Sequence, residues 1–169
     1  GEEFSDEAVR ARLFGWMNAM SRPIVEAATR DYAAFLDAQA EVDSSRKMTV
    51  AGYCMGGPFT IRTAAAVPAR VGAAASFHGG GLVTDAVDSP HRLLGATDAA
   101  FLIAVARNDD AKEPAAKEGF RTAAEQAKKP AEIEVYNADH GWTVPDSPAY
   151  DPNEADRAWQ RMLATFAKL

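Results

Sequence analysis

The chain has 169 residues, 47% of them apolar, and a net charge of −6. That length suits one domain, residues 1–169, with a sizeable core. The acidic balance argues against a nonspecific nucleic-acid surface, and no apolar run approaches the ~20 residues that span a bilayer. A single cysteine excludes an intramolecular disulfide and makes a reducing cytoplasm the expected compartment.

Ser5 is placed to cap a first helix, with Asp6 and Glu7 in its first turn. Leu13, Phe14, Met17 and Met20 fall on one face of it. They read as core, or as surface that further strands would cover, with a substrate-facing lid as the alternative. Pro23 opens a second helix, and Ile24, Ala28, Phe35 and Leu36 are its expected buried stripe. Asp43-Ser44-Ser45 is a turn, too short for a linker. Residues 48–51 form a short β-prone run that ends in Gly52-Tyr53-Cys54-Met55-Gly56-Gly57, and a helix is expected over 59–66. Residues 71–77 read as the next strand, 100–106 as a doubly buried one and 133–136 as a fourth. Helices are expected over 112–128, ended by Pro130, and over 152–169. The second presents Ala155, Trp159, Met162, Leu163 and Phe166 on its apolar face. Four strands alternating with helices predict a parallel α/β sheet with flanking helices.

The run 52–57 has the form of a nucleophile elbow, with Cys54 in the usual place of serine. A strand delivers such a nucleophile to a tight turn, and a helix follows. Gly52 and Gly56 are expected where a Cβ would crowd that turn. The helix start behind Cys54 offers N–H groups and partial positive charge to a developing oxyanion. The alternative reading of a lone cysteine at a glycine-rich turn is a small buried hydrophobe. Strand 100–106 runs into Arg107-Asn108-Asp109-Asp110, an expected polar loop with two carboxylates. Strand 133–136 leads into Asn137-Ala138-Asp139-His140-Gly141-Trp142. Nucleophile, acid, base is the chain order of α/β-hydrolases. All three candidates fall just past the C-terminal end of a predicted strand, the edge where open parallel sheets carry their sites.

His78-Gly79-Gly80-Gly81 has the composition of a lipase oxyanion loop but follows the nucleophile instead of preceding it. It is expected as a strand-end loop beside the site, with substrate contact by His78 as the alternative. Tyr53 and Trp142 flank the site, and each either lines an apolar substrate pocket or packs. His91 reads as a surface residue. No two histidines have metal-ligand spacing on one helix, and Gly79–Gly81 lacks dinucleotide spacing, so neither metal nor cofactor is expected.

Gly-Tyr-Cys-Met-Gly-Gly, then Ala-Arg-Asn-Asp with Pro114 downstream, then Asp-His-Gly-Trp together resemble the dienelactone hydrolase family, from about residue 35 to the C-terminus. The resemblance implies an α/β-hydrolase fold carrying a Cys-Asp-His triad. Cys54 would be the nucleophile, His140 the general base and Asp109 its orienting acid, with the adjacent Asp110 as rival. The expected chemistry is acyl transfer from a small-molecule lactone or carboxylic ester, with the backbone N–H of Met55 as one oxyanion donor. Within the family this is a carboxymethylenebutenolidase-type hydrolysis of an enol-lactone, and it needs no cofactor. Family members extend further before the elbow, and Gly1-Glu2-Glu3-Phe4 has no leading Met. The chain is therefore expected to be the C-terminal portion of a longer hydrolase. It would lack the first strands and the second oxyanion donor, and would leave an open sheet edge beside residues 48–52. A thioesterase or peptidase on the same fold is the alternative within enzymes. An inert fragment or binding module with a buried Cys54 is the alternative outside them. No nucleic-acid or membrane partner is expected, and the oligomeric state is open.

Overall fold

The structure, a computed structural model, describes residues 5–169; Gly1 to Phe4 lie outside it. Asp6, not Ser5, caps the first helix, α1 (Glu7–Ala19): its carboxylate accepts the N–H groups of Ala8 and Val9 at 2.8 and 3.1 Å. An ionised cap both satisfies free donors and complements the helix dipole, which is why it displaces the neutral serine. α2 (Arg22–Asp37) begins with Pro23 in its first turn.

The apolar stripes expected on these two helices do not face the core. α1 buries none of its residues, and Leu13, Phe14 and Met20 are exposed. α2 buries Val25, Thr29 and Ala33 instead of the Ile24, Phe35 and Leu36 stripe, which is exposed. The reason is close approach. α2 lies against α3 (Gly57–Ala66), where the Thr29 and Thr63 hydroxyls come within 3.3 Å, and only small side chains fit such a contact.

Four parallel strands stand in the order β1 (Met48–Tyr53), β2 (Val71–Phe77), β3 (Ala100–Ala106), β4 (Ala131–Tyr136). α3 links β1 to β2, and a 3₁₀ turn, Pro90–Ala96, precedes β3. Two helices separate β3 from β4: α4 (Arg107–Lys112) and α5 (Ala116–Gln126). The expected loop 107–110 is thus helical, and the expected helix 112–128 is divided. Pro114 causes the division. It disfavours helical backbone at Glu113, which adopts φ −130° and ψ 62° and closes α4.

Alternation along the strands feeds two cores. Phe101 and Ile103 of β3 pack with Ile61, Leu94 and Phe120 on the α3/α5 face. Leu102, Ala104 and Ala106 pack with Tyr136, Trp142 and Met162 on the face of α6 (Pro152–Phe166). β2 is buried throughout, and its alanines let helices approach from both sides. α6 buries Ala158, Met162 and Thr165, while Trp159 and Leu163 of the expected apolar face are exposed. On the same helix, Arg157 and Arg161 pair with Glu134 and Glu132 of β4. β1 is an edge strand, and among the described residues nothing pairs with its outer side. No described helix is long and apolar enough to cross a membrane.

Candidate active site

The site lies at the C-terminal ends of β1, β2, β3 and β4, where the strand-end loops converge. Cys54 directly follows β1 with φ 51°, a left-handed conformation that costs a residue with a Cβ about 1–3 kcal/mol unless its surroundings impose it. The glycines around it explain how the turn is tolerated. A Cβ on Gly52 would stand 2.2 Å from the Gly56 carbonyl oxygen, so the strand and the turn touch backbone to backbone. A Cβ on Gly56 would meet nothing within 4 Å, which corrects the crowding expected there. The second close contact belongs to Gly57, where a Cβ would lie 2.4 Å from Ser76 Oγ and 2.6 Å from Gly79 Cα. Those partners come from the end of β2, so sequence local to the elbow carries no sign of them.

The exposed thiol of Cys54 faces His140 from the loop after β4, with Sγ to Nε2 at 3.2 Å. The other ring nitrogen, Nδ1, is 2.6 Å from Asp109 Oδ2 on the first turn of α4. A carboxylate accepts, so Nδ1 carries the proton and Nε2 presents its lone pair to the thiol. The neighbouring Asp110 faces elsewhere, 2.6 Å from Lys117 Nζ. Of the two carboxylates, the structure brings only Asp109 to His140.

Two residues not singled out from sequence hold His140 in place. Asn108 Oδ1 accepts the backbone N–H of His140 at 2.9 Å. Arg107 reaches Asp139 Oδ1 at 3.0 Å and Asn137 Oδ1 at 3.2 Å. The start of α4 therefore clamps the 137–140 loop as well as placing Asp109 against His140. The Arg-Asn-Asp run carries the sequence signal for this clamp, but as a loop, not a helical turn, it would not show it.

The remaining candidates take distinct positions. Met55 follows Cys54 in a 3₁₀ turn, Cys54–Gly56, where early N–H groups have no partner within the helix. Tyr53 is partly exposed and stacks on Phe77 with ring centroids 4.9 Å apart. Trp142 is fully buried and stacked on Tyr136 at 5.1 Å, which makes it a packing residue and not a pocket wall. His78 is 3% exposed, and its ring nitrogens engage the Cys54 backbone and the Thr143 hydroxyl, so it does not present itself to a substrate. Burial, reinforced by the nearby His140, lowers its pKa to about 4. His91 is partly buried and hydrogen-bonded to Ser89 at 2.8 Å.

A cavity of about 120 Å³ opens beside Asp109 and His140. Gly79, Gly80 and Gly81 form one wall, and Ile103, Val105 and Phe120 give it an apolar lining. Neither Tyr53, His78 nor Trp142 borders it. Among the described residues, no group of three or more His, Cys, Asp or Glu side chains is placed to hold a metal ion.

A family model described as the dienelactone hydrolase family matches residues 1–169. No curated protein matches the chain. Among solved structures, a protein described as a dienelactone hydrolase, from Klebsiella pneumoniae subsp. pneumoniae, is 28% identical with a TM-score of 0.76. That alignment covers 88% of this chain and 62% of the other, so this chain spans less than two thirds of its relative's length. A dienelactone hydrolase-like promiscuous phosphotriesterase from metagenomic libraries is 24% identical with a TM-score of 0.76, over 97% of this chain and 69% of its own. At that identity the likeness speaks for the fold. The parallel sheet with helices on both faces is an α/β-hydrolase-type fold, and with a family match along its whole length the chain belongs to the dienelactone hydrolase family.

Proposed function

We propose that the chain hydrolyses a small-molecule lactone or carboxylic ester through an acyl group carried on Cys54. One observation carries this reading: a continuous line of contacts runs from Asp109 through His140 to an exposed thiol. In the first step Sγ attacks the carbonyl carbon while its proton passes to His140 Nε2. The carbonyl electron pair moves to oxygen, and the backbone N–H of Met55 donates to that oxyanion. Loss of such a donor typically costs ~3 kcal/mol of barrier. When the intermediate collapses, the C–O bond breaks and the leaving oxygen takes the proton from Nε2. Water then attacks the thioester and gives its proton to Nε2. The C–S bond breaks, and the sulfur recovers that proton as the acid departs. Asp109 keeps His140 in the required tautomer and balances its transient charge. The cavity borders His140 and Asp109 but not Cys54, and it is smaller than the ~300 Å³ or more of a whole ligand site, so a substrate on the thiol lies mostly outside it.

The test is turnover of an aryl ester, an aliphatic lactone and a thioester by the chain and by Cys54→Ala. The reading expects hydrolysis of the first two to vanish with the thiol. Equal rates for the two proteins would contradict it, and turnover of the thioester alone would move the assignment to a thioesterase.

A further inference from the structure

His78 is a buried titratable side chain next to the nucleophile for which the steps above have no task. It directly follows β2, and its own N–H donates to Ala104 O at 2.8 Å, which keeps its backbone bound to β3. Its φ of 40° is left-handed, a conformation a bulky residue adopts only when the surroundings require it. This turns the ring toward β1. Nδ1 accepts the backbone N–H of Cys54 at 3.2 Å, and Nε2 lies 3.1 Å from Thr143 Oγ1. The ring also stands 4.6 Å from the His140 ring and 5.1 Å, edge-on, from Trp142.

We infer that His78 is a positioning residue whose neutral ring ties the Cys54 backbone to the loop carrying His140, and so sets the distance between thiol and base. The inference rests on the reading of Cys54 and His140 as nucleophile and base. The two hydrogen bonds are directional and reach different loops. The first goes to the residue that bears the thiol, itself strained at φ 51°. The second goes to Thr143, three positions beyond His140. Because Nδ1 must accept, the ring proton sits on Nε2 and is donated to Thr143. A protonated ring would have no acceptor for Cys54, and burial keeps the ring neutral at ordinary pH. A ring that merely filled space would need neither nitrogen.

Substitution separates the two roles. His78→Phe keeps a ring of similar size and removes both nitrogens. His78→Asn restores an acceptor near the Nδ1 position, and asparagine tolerates left-handed backbone better than most residues. Two quantities are read for each variant: the rate of Cys54 alkylation by iodoacetamide at pH 7.5, followed by mass, and kcat and KM for an aryl ester. His78→Phe should slow alkylation and lower kcat by about tenfold each with KM little changed, as expected for one lost hydrogen bond at an activated nucleophile. His78→Asn should recover to within about threefold of the parent. Parent-like alkylation and kcat in His78→Phe would overturn the inference. Should His78→Phe not fold, His78→Asn against His78→Gln decides: faster alkylation in the Asn variant supports positioning, and equal rates overturn it. Alkylation is read on Cys54 directly, so the inference can fail while Cys54→Ala still abolishes turnover. Intact turnover in Cys54→Ala would instead remove the reading on which the inference rests, a result distinct from parent-like alkylation in His78→Phe.

Discussion

Replacing Asp109 or Asp110 by asparagine changes one atom type in each of two adjacent residues, yet the structure predicts very different outcomes. Asp109 Oδ2 accepts from His140 Nδ1 at 2.6 Å and fixes the tautomer in which Nε2 can take the thiol proton. An asparagine there can turn its amide N–H toward Nδ1 and force the ring proton onto Nε2, where it blocks the transfer. The corresponding loss in serine proteases is ~10⁴-fold in turnover, or about 5.5 kcal/mol of barrier. Lys112 does not soften this effect, because its ammonium is 3.7 Å from Asp109 and 70% exposed. Asp110 instead meets Lys117 at 2.6 Å, with side chains 22% and 26% exposed, and does not touch His140. Its replacement should lower stability by no more than about 1 kcal/mol and leave turnover within about threefold. Steady-state kcat/KM on an aryl ester, with a melting curve for each variant, measures both effects. Equal losses in turnover, or the larger loss at Asp110, would refute the assignment of the acid.

Gly52→Ala should destabilise by about 3 kcal/mol in urea unfolding, because the new Cβ meets the Gly56 backbone at 2.2 Å and backbone cannot rotate away. Gly56→Ala should change stability by under about 0.5 kcal/mol, since its Cβ enters open space; similar losses at both sites would contradict the packing argument. Acid titration of stability should report His78. Burial first, and then the charge of His140, lower its pKa from 6.5 to about 4, against the opposing pull of Asp109. Between those values the unfolded chain binds the proton and the native ring does not, so stability rises with pH over this window. Acidifying from pH 6.5 to 4 should remove on the order of 3 kcal/mol through His78. That slope should flatten in His78→Asn, and an unchanged slope would show that other groups set it.

The strands were legible because their signal is local. Residues 100–106 are an unbroken apolar run, and 71–77 is a run of small and apolar residues interrupted only by Ser76; both match the observed strands residue for residue. Helix faces were not legible, because periodicity shows that a helix is amphipathic but not which neighbour it meets. α2 turns its small residues to α3, and α6 buries Ala158, Met162 and Thr165 against the sheet in place of Trp159 and Leu163. At the site, the elbow motif and the strand-end rule pointed to Cys54, Asp109 and His140, which the structure brings into contact. Which of two adjacent aspartates faces His140 depends on the helical turn of α4, where the polar run 107–110 predicts a loop. The close contact of Gly57 and the hydrogen bonds of His78 are not legible for a shared reason. Their partners, Ser76 and Gly79 for one and Cys54 and Thr143 for the other, are distant in sequence.

The central claim is a covalent bond between substrate acyl group and Cys54, and rapid-quench mass spectrometry tests it most directly. The chain is mixed with an excess of an aryl ester, stopped in acid within the first turnovers, and digested for peptide mapping. The account predicts the mass of the acyl group on the peptide bearing Cys54, released on continued incubation and absent from Cys54→Ala. Ester turnover without that adduct, or an adduct on another residue, would contradict it.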